Sequence, residues 1–184
     1  MLILASKSER RIKLLKDIGL EFEIADHKVN ESYSKKATPQ TIVQTLSKRK
    51  AEGVLKLHPD ATVIAADTIV VFEDEVLGKP LNEDDAFKML KKLSGKKHQV
   101  FTGVTIVNKN KSKTFYSVSD VYMKPYHDIE IYEYIKTKEP LDKAGAYGIQ
   151  GEGSKLVEKY TGDFFTIVGL PVKELQKELK KFEY

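Results

Sequence analysis

Leu2 to Ala5 form a short apolar run that reads as a buried strand, and Ile12, Leu14, Leu15 and Ile18 then recur at helical spacing up to Gly19, a helix stop. Phe22 to Ala25 alternates as a second strand, and the polar stretch 27 to 37 reads as a loop. Thr38 before Pro39 is an N-cap followed by proline at the first helical position. The helix it predicts carries Ile42, Val43, Leu46, Val54 and Leu55 on its apolar face and is over by His58-Pro59-Asp60. Ala61 to Phe72 is β-branched and nearly continuously apolar, the pattern of a central strand buried on both faces, with Asp67 and Thr68 as its interruptions. Val76-Leu77 is a short strand-like pair. Asn82 caps a helix with Glu83, Asp84 and Asp85 in its first turn, running through Met89, Leu90 and Leu93 to Ser94-Gly95. Residues 98 to 107 and 114 to 124 alternate around an N-K-N-K turn at 108 to 111, which predicts an antiparallel hairpin. Asp128 opens a helix through Ile131, Tyr134 and Ile135. Glu139 to Gly153 is glycine-rich and aperiodic, after which short strands lead to a last helix beyond Pro171. No repeat, linker or low-complexity tract divides the chain, so one mixed α/β domain over residues 1–184 is expected.

Composition narrows the classes. A chain of 184 residues with 41% hydrophobic and 32% charged content can bury a substantial core without staples. It has no cysteine, which excludes disulfide frameworks, thiolate metal sites and cysteine nucleophiles. No apolar run approaches the roughly 20 residues of a membrane span, and the N-terminus lacks the layout of a signal peptide, so a cytoplasmic protein without membrane partners is expected. The net charge of +4 comes from interspersed lysines and acids rather than a polybasic tail. With no recognition helix and no aromatic residues interleaved with basic ones, nucleic acid is disfavoured and a small anionic substrate preferred.

The chemistry concentrates in a few places. Two of only three arginines, Arg10 and Arg11, follow the first strand in A-S-K-S-E-R-R, where lysine is otherwise the rule. A strand feeding a helix N-terminus, with hydroxyls and guanidinium groups close by, is the usual recipe for a phosphate site. Ser6 and Glu9 also have capping-box spacing, so the Ser6 hydroxyl reads equally as cap or as ligand. Asp67 is the sharper signal. A carboxylate inside a β-branched run is costly to bury unless it is hydrogen-bonded, metal-bound or facing a cleft, and a catalytic or metal-binding role is preferred to a satisfied structural one. Glu31, a loop acid, is its weaker partner. Lys79 sits in a Gly/Pro-framed turn, G-K-P, that gives it a better claim to phosphate than Lys96 or Lys97. Lys50 reads as part of a solvated helix face. Residues 145, 148, 151 and 153 are glycines, which predicts positive φ or close approach of the backbone. Their order is not that of a dinucleotide motif. His98 reads as structural, and any metal is expected to be a hard cation held by carboxylate and phosphate oxygens.

The blocks A-S-K-S-E-R-R, A-A-D-T-I-V-V, L-G-K-P, K-L-S-G-K-K-H-Q-V-F-T-G-V, E-P-L-D-K-A-G-A-Y-G-I-Q-G and G-D-F-F-T-I-V-G-L-P, in this order, resemble the Maf family of nucleoside triphosphate pyrophosphatases, also called septum formation inhibitors. The resemblance spans practically the whole chain. It implies an elongated mixed central sheet flanked by helices, two lobes with an active-site cleft, and a homodimer. The implied reaction cuts a nucleoside triphosphate between its α and β phosphates with Mg²⁺, Mn²⁺ or Co²⁺. By motif position Asp67 matches the family's general base; Ser6, Glu31, Lys50 and Lys79 match its phosphate and metal site, with Glu31 and Asp67 as the metal's carboxylates. Arg10, Thr68 and Gln150 match positions that accompany preference for dTTP and UTP, a house-cleaning role tied to cell-division arrest. The alternatives are a relative acting on CTP or methylated GTP, and a non-catalytic nucleotide-binding regulator of septum formation. Glu9, Asn30 and Thr166 depart from the family's common proline, aspartate and asparagine, and Asn30 is expected to weaken metal binding.

Overall fold

A computed structural model describes all 184 residues. The chain is mixed α/β, with a seven-stranded sheet in the order β2-β1-β3-β5-β6-β7 and a short β4 paired to β3. Its elements are β1 (Leu2–Leu4), α1 (Glu9–Asp17), β2 (Glu23–Ile24), α2 (Pro39–Leu55), β3 (Thr62–Phe72), β4 (Glu75–Leu77) and α3 (Glu83–Leu93), then β5 (Lys97–Val107), β6 (Ser112–Met123), α4 (Asp128–Lys136), β7 (Val157–Thr161), α5 (Phe164–Val168) and α6 (Val172–Leu179). Three 3₁₀ turns lie between α4 and β7, at Glu139–Asp142, Ala144–Ala146 and Gly151–Leu156. No helix is long and apolar enough to cross a membrane.

The chain forms two compact units, each assembled from separate segments. The first comprises Met1–Thr68, Thr102–Ser117 and Gly169–Tyr184. In it β1 pairs in parallel with both β2 and β3, a pairing that needs the crossovers that α1 and α2 provide. Its core joins Ile3, Ala5, Ala51, Val54, Val63, Ala65 and Val107. The alanines let α2 lie close to the sheet, and Gly103 extends that fit: a Cβ there would stand 2.3 Å from the Val43 carbonyl oxygen. Thr38 caps α2 as expected, its hydroxyl accepting the Thr41 N–H at 3.3 Å.

The second unit comprises Ile69–Phe101 and Val118–Val168, with its own core of Val70, Phe72, Leu90, Leu93, Val121, Met123, Ile131 and Tyr147 among others. Asn82 caps α3 by accepting the Asp85 N–H at 2.8 Å. Strands β3 and β4 are joined by Glu73 and Asp74, both at positive φ (47° and 65°), a two-residue turn of the kind usually written with Asn and Gly. That is why the pattern alone gave no turn signal there.

Two expectations fail. The capping box at Ser6 and Glu9 does not form: α1 begins at Glu9 with Ser8 at the cap position, so Ser6 lies too early to bond the first turn. The stretch after Gly153 holds one strand, β7, and not several. Phe164–Val168 is instead a helical turn, because Asp163 accepts both the N–H and the hydroxyl of Thr166 at 2.8 Å. That local bond also accounts for Thr166, fully buried at that position.

Candidate active site

Seven of the nine residues singled out by sequence fall in the first unit, and bonded contacts link six of them. β1 delivers Ser6 and then α1 delivers Arg10 and Arg11. The Ser6 hydroxyl, nearly buried, accepts the Ser8 N–H at 3.2 Å and, more distantly, Arg11 Nη1 at 3.4 Å. Arg11 donates through Nε to the Gly169 carbonyl at 2.8 Å and through Nη2 to the Thr68 hydroxyl at 3.0 Å. Thr68 in turn shares a hydrogen bond with Thr102 at 2.9 Å. Burial pushes the Arg11 guanidinium down to about 10, a fall opposed by the negative charge of Asp67, so it stays a cation at neutral pH. Arg10 is half-buried, and its Nε has no partner.

β3 places Asp67 next to Thr68, and α2 brings Lys50 to it. Lys50 is a buried ammonium, not the solvated one its helical position suggested: its Nζ lies 2.6 Å from Asp67 Oδ1 and 2.6 Å from Glu31 Oε1. The exposed loop acid thus meets the strand acid on a single cation. His27 stands at the margin, Nε2 3.7 Å from Glu31 Oε1, and burial together with the Lys50 charge lowers its pKa.

In this trio two carboxylates face one ammonium, leaving one negative charge uncompensated by it. Hard oxygen donors in that balance suit a divalent cation of the Mg²⁺ class. No three His, Asp or Glu residues cluster into a cage, so the remaining ligands would be phosphate oxygens and water, as Mg²⁺ commonly prefers. Asn30 makes no third ligand. Its Oδ1 accepts the Ser32 N–H at 2.7 Å, shaping the turn that carries Glu31.

Lys79 and Gln150, the other two, belong to the second unit and are both exposed. Their segments meet: the Gly145 N–H donates to the Gly78 carbonyl at 3.1 Å. The glycines behave as expected, Gly145 and Gly151 at positive φ (70° and 67°) and Gly153 with no room for a Cβ, which would lie 2.2 Å from the Gly148 carbonyl oxygen. Glu139 organises this segment, accepting the Tyr134 hydroxyl at 2.9 Å and the Glu152 and Gly153 N–H groups at 3.0 and 3.2 Å. Sequence reasoning missed Glu139, as it missed Arg49, Thr102 and Gly169. Glu139, Thr102 and Gly169 all lie inside the quoted blocks, and Arg49 is the third of the rare arginines, but nothing local to any of them told its partners.

The architecture is that of Ham1 proteins. The Staphylococcus aureus Ham1 structure matches with a TM-score of 0.54 at 15% identity, over 98% of both chains. A HAM1 protein from Coxiella burnetii matches at 0.51 and 13%, again over 98% of both. At such identities the likeness concerns the fold alone. Sequence carries the assignment further: the family described as Maf-like protein matches residues 1–182, and the chain belongs to that family. A dTTP/UTP pyrophosphatase of Bacillus cereus is 47% identical over 182 residues, covering 99% of this chain and 95% of that protein. One from Bacillus thuringiensis subsp. konkukian is 47% identical over 181 residues, covering 98% and 95%.

Proposed function

We propose that this protein is a cytoplasmic nucleoside triphosphate pyrophosphatase that hydrolyses dTTP and UTP to the monophosphate and pyrophosphate, with a divalent cation, as a homodimer. The observation that carries the reading is the Glu31–Lys50–Asp67 trio joined through Thr68 to the Arg11–Ser6 corner, in a chain 47% identical to proteins so named. Displacement at phosphorus needs positioning and charge neutralisation more than covalent help. Ser6, Arg10, Arg11 and Lys50 supply a hydroxyl and three cations for the phosphate chain, and Lys79 a fourth. Asp67 accepts the proton of the attacking water, whose oxygen bonds to the α-phosphorus as the α–β bridging bond breaks and pyrophosphate leaves. Glu31 and Asp67 would hold the cation, Mg²⁺, Mn²⁺ or Co²⁺, which neutralises phosphate charge when bound.

Base choice falls to Arg10, Thr68 and Gln150. An amide offers both a donor and an acceptor, as the O4 and N3–H edge of uracil or thymine requires. A panel of nucleoside triphosphates with pyrophosphate detection tests the whole reading. Release from dTTP and UTP above all others supports it; turnover confined to CTP or methylated GTP moves the substrate; no turnover with any of the three cations refutes it.

A further inference from the structure

The third arginine of the chain lies beside this site and none of the chemistry above uses it. Arg49 precedes Lys50 on α2, and its Nη1 donates to the carbonyl of Asn30 at 2.6 Å and to that of Ser32 at 2.8 Å. One guanidinium nitrogen has two hydrogens, so both bonds form from a single atom. The two acceptors are the residues on either side of Glu31. One helical turn further, on the same face, Gly53 leaves the room the loop needs: a Cβ there would stand 2.5 Å from Val29 Cγ1 and 3.2 Å from the His27 carbonyl oxygen. Residues 30 to 36 are otherwise exposed throughout, so packing does little to hold them.

We propose that Arg49 is a positioning residue: with Gly53 it seats the 27–32 loop on α2 and so presets Glu31, setting the affinity for the divalent cation. The inference rests on the reading of Glu31 as a carboxylate of the cation site. A loop already fixed on a helix holds its ligand without further loss of backbone freedom, whereas a loose one must be ordered by the ion itself. Arginine suits the task because Nη1 lies at the end of a longer side chain and its two hydrogens are fixed in the guanidinium plane, one for each carbonyl. Lysine is shorter, and its freely rotating ammonium fixes no such direction.

The test is Mn²⁺ binding to the metal-stripped full-length protein, followed by the electron paramagnetic resonance of free Mn²⁺, alongside kcat and the Mn²⁺ concentration giving half-maximal turnover. Arg49→Met should weaken Mn²⁺ about 10- to 100-fold, the range found when groups supporting metal ligands are removed. Turnover at saturating Mn²⁺ should remain within a few-fold of the parent. Arg49→Lys should fall between the two. Gly53→Ala, which lifts the loop without touching the arginine, should reproduce the loss. In a Glu31→Gln background, Arg49→Met should weaken binding no further, a non-additivity that a general loss of stability does not produce. Unchanged Mn²⁺ affinity in both Arg49→Met and Gly53→Ala, while Glu31→Gln binds weakly, overturns the positioning role alone. Unchanged affinity in Glu31→Gln as well overturns the cation site beneath it and the inference with it.

Discussion

Lys50 is the residue on which the site turns. Its ammonium is nearly buried and meets two carboxylates, so removing it leaves Asp67 in the interior facing Glu31 with no cation between them. Breaking a buried pair from one side typically costs about 3–5 kcal/mol, so Lys50→Met should lower the urea midpoint markedly and abolish turnover together. Asp67→Asn separates the two effects. It keeps an oxygen for Lys50 and loses the proposed base, so kcat should fall about 10²- to 10⁴-fold with far less change in the denaturation midpoint. Arg11 is bound up with the protein itself. Arg11→Lys cannot serve both the Gly169 carbonyl and the Thr68 hydroxyl, and equilibrium unfolding should show a loss of about 1–3 kcal/mol. At this scale the sequence was informative about residue type and poor about partners. Asp67 stood out because a charge in a β-branched run is unusual, and Arg10 and Arg11 because arginine is rare in this chain. Lys50 looked like any lysine on a helix, because its burial depends on Glu31 and Asp67, 19 and 17 residues away in the chain.

The elements were legible where their signals are local. Thr38-Pro39 and Asn82 start α2 and α3 through bonds made within three residues, and the β5–β6 turn is closed by the Asn108 N–H on the Lys111 carbonyl at 2.9 Å. The capping box failed for a reason equally physical. The Ser6 hydroxyl turns to the Ser8 N–H and to Arg11, and the helix starts too late to use it. Glu73-Asp74 escaped notice because side chains there accept positive φ only under the demand of the β3–β4 pairing. The fit of α2 on the sheet is narrow. Gly103→Ala would drive a methyl into the Val43 backbone, which cannot give way as a flexible side chain could. The expected result is a lower thermal midpoint with an altered near-ultraviolet circular dichroism spectrum, or an insoluble protein.

For the molecule as a whole, acid sensitivity has an identifiable source. His98 in the second unit is buried, its Nε2 2.6 Å from the Tyr147 hydroxyl and its Nδ1 without a partner. Burial pushes its pKa down to about 4 from 6.5. The unfolded chain therefore takes up a proton near pH 6.5 that the fold refuses until about pH 4. Its contribution to stability is complete above that window and is lost as pH falls through it, by up to about 3 kcal/mol. Urea midpoints at pH 7 and 4.5 should show a smaller drop for His98→Gln than for the parent. Sequence by itself determined the α/β class, the order and rough bounds of most elements, and the family, because periodicity, caps and ordered motifs are written in neighbouring residues. Tertiary structure alone decided that an exposed loop acid and a strand aspartate share one helix lysine as their cation, and that Arg11 and Arg49 are held by backbone carbonyls. Those contacts join residues whose separation along the chain carries no local signal, and only the folded backbone brings their charges within hydrogen-bonding reach.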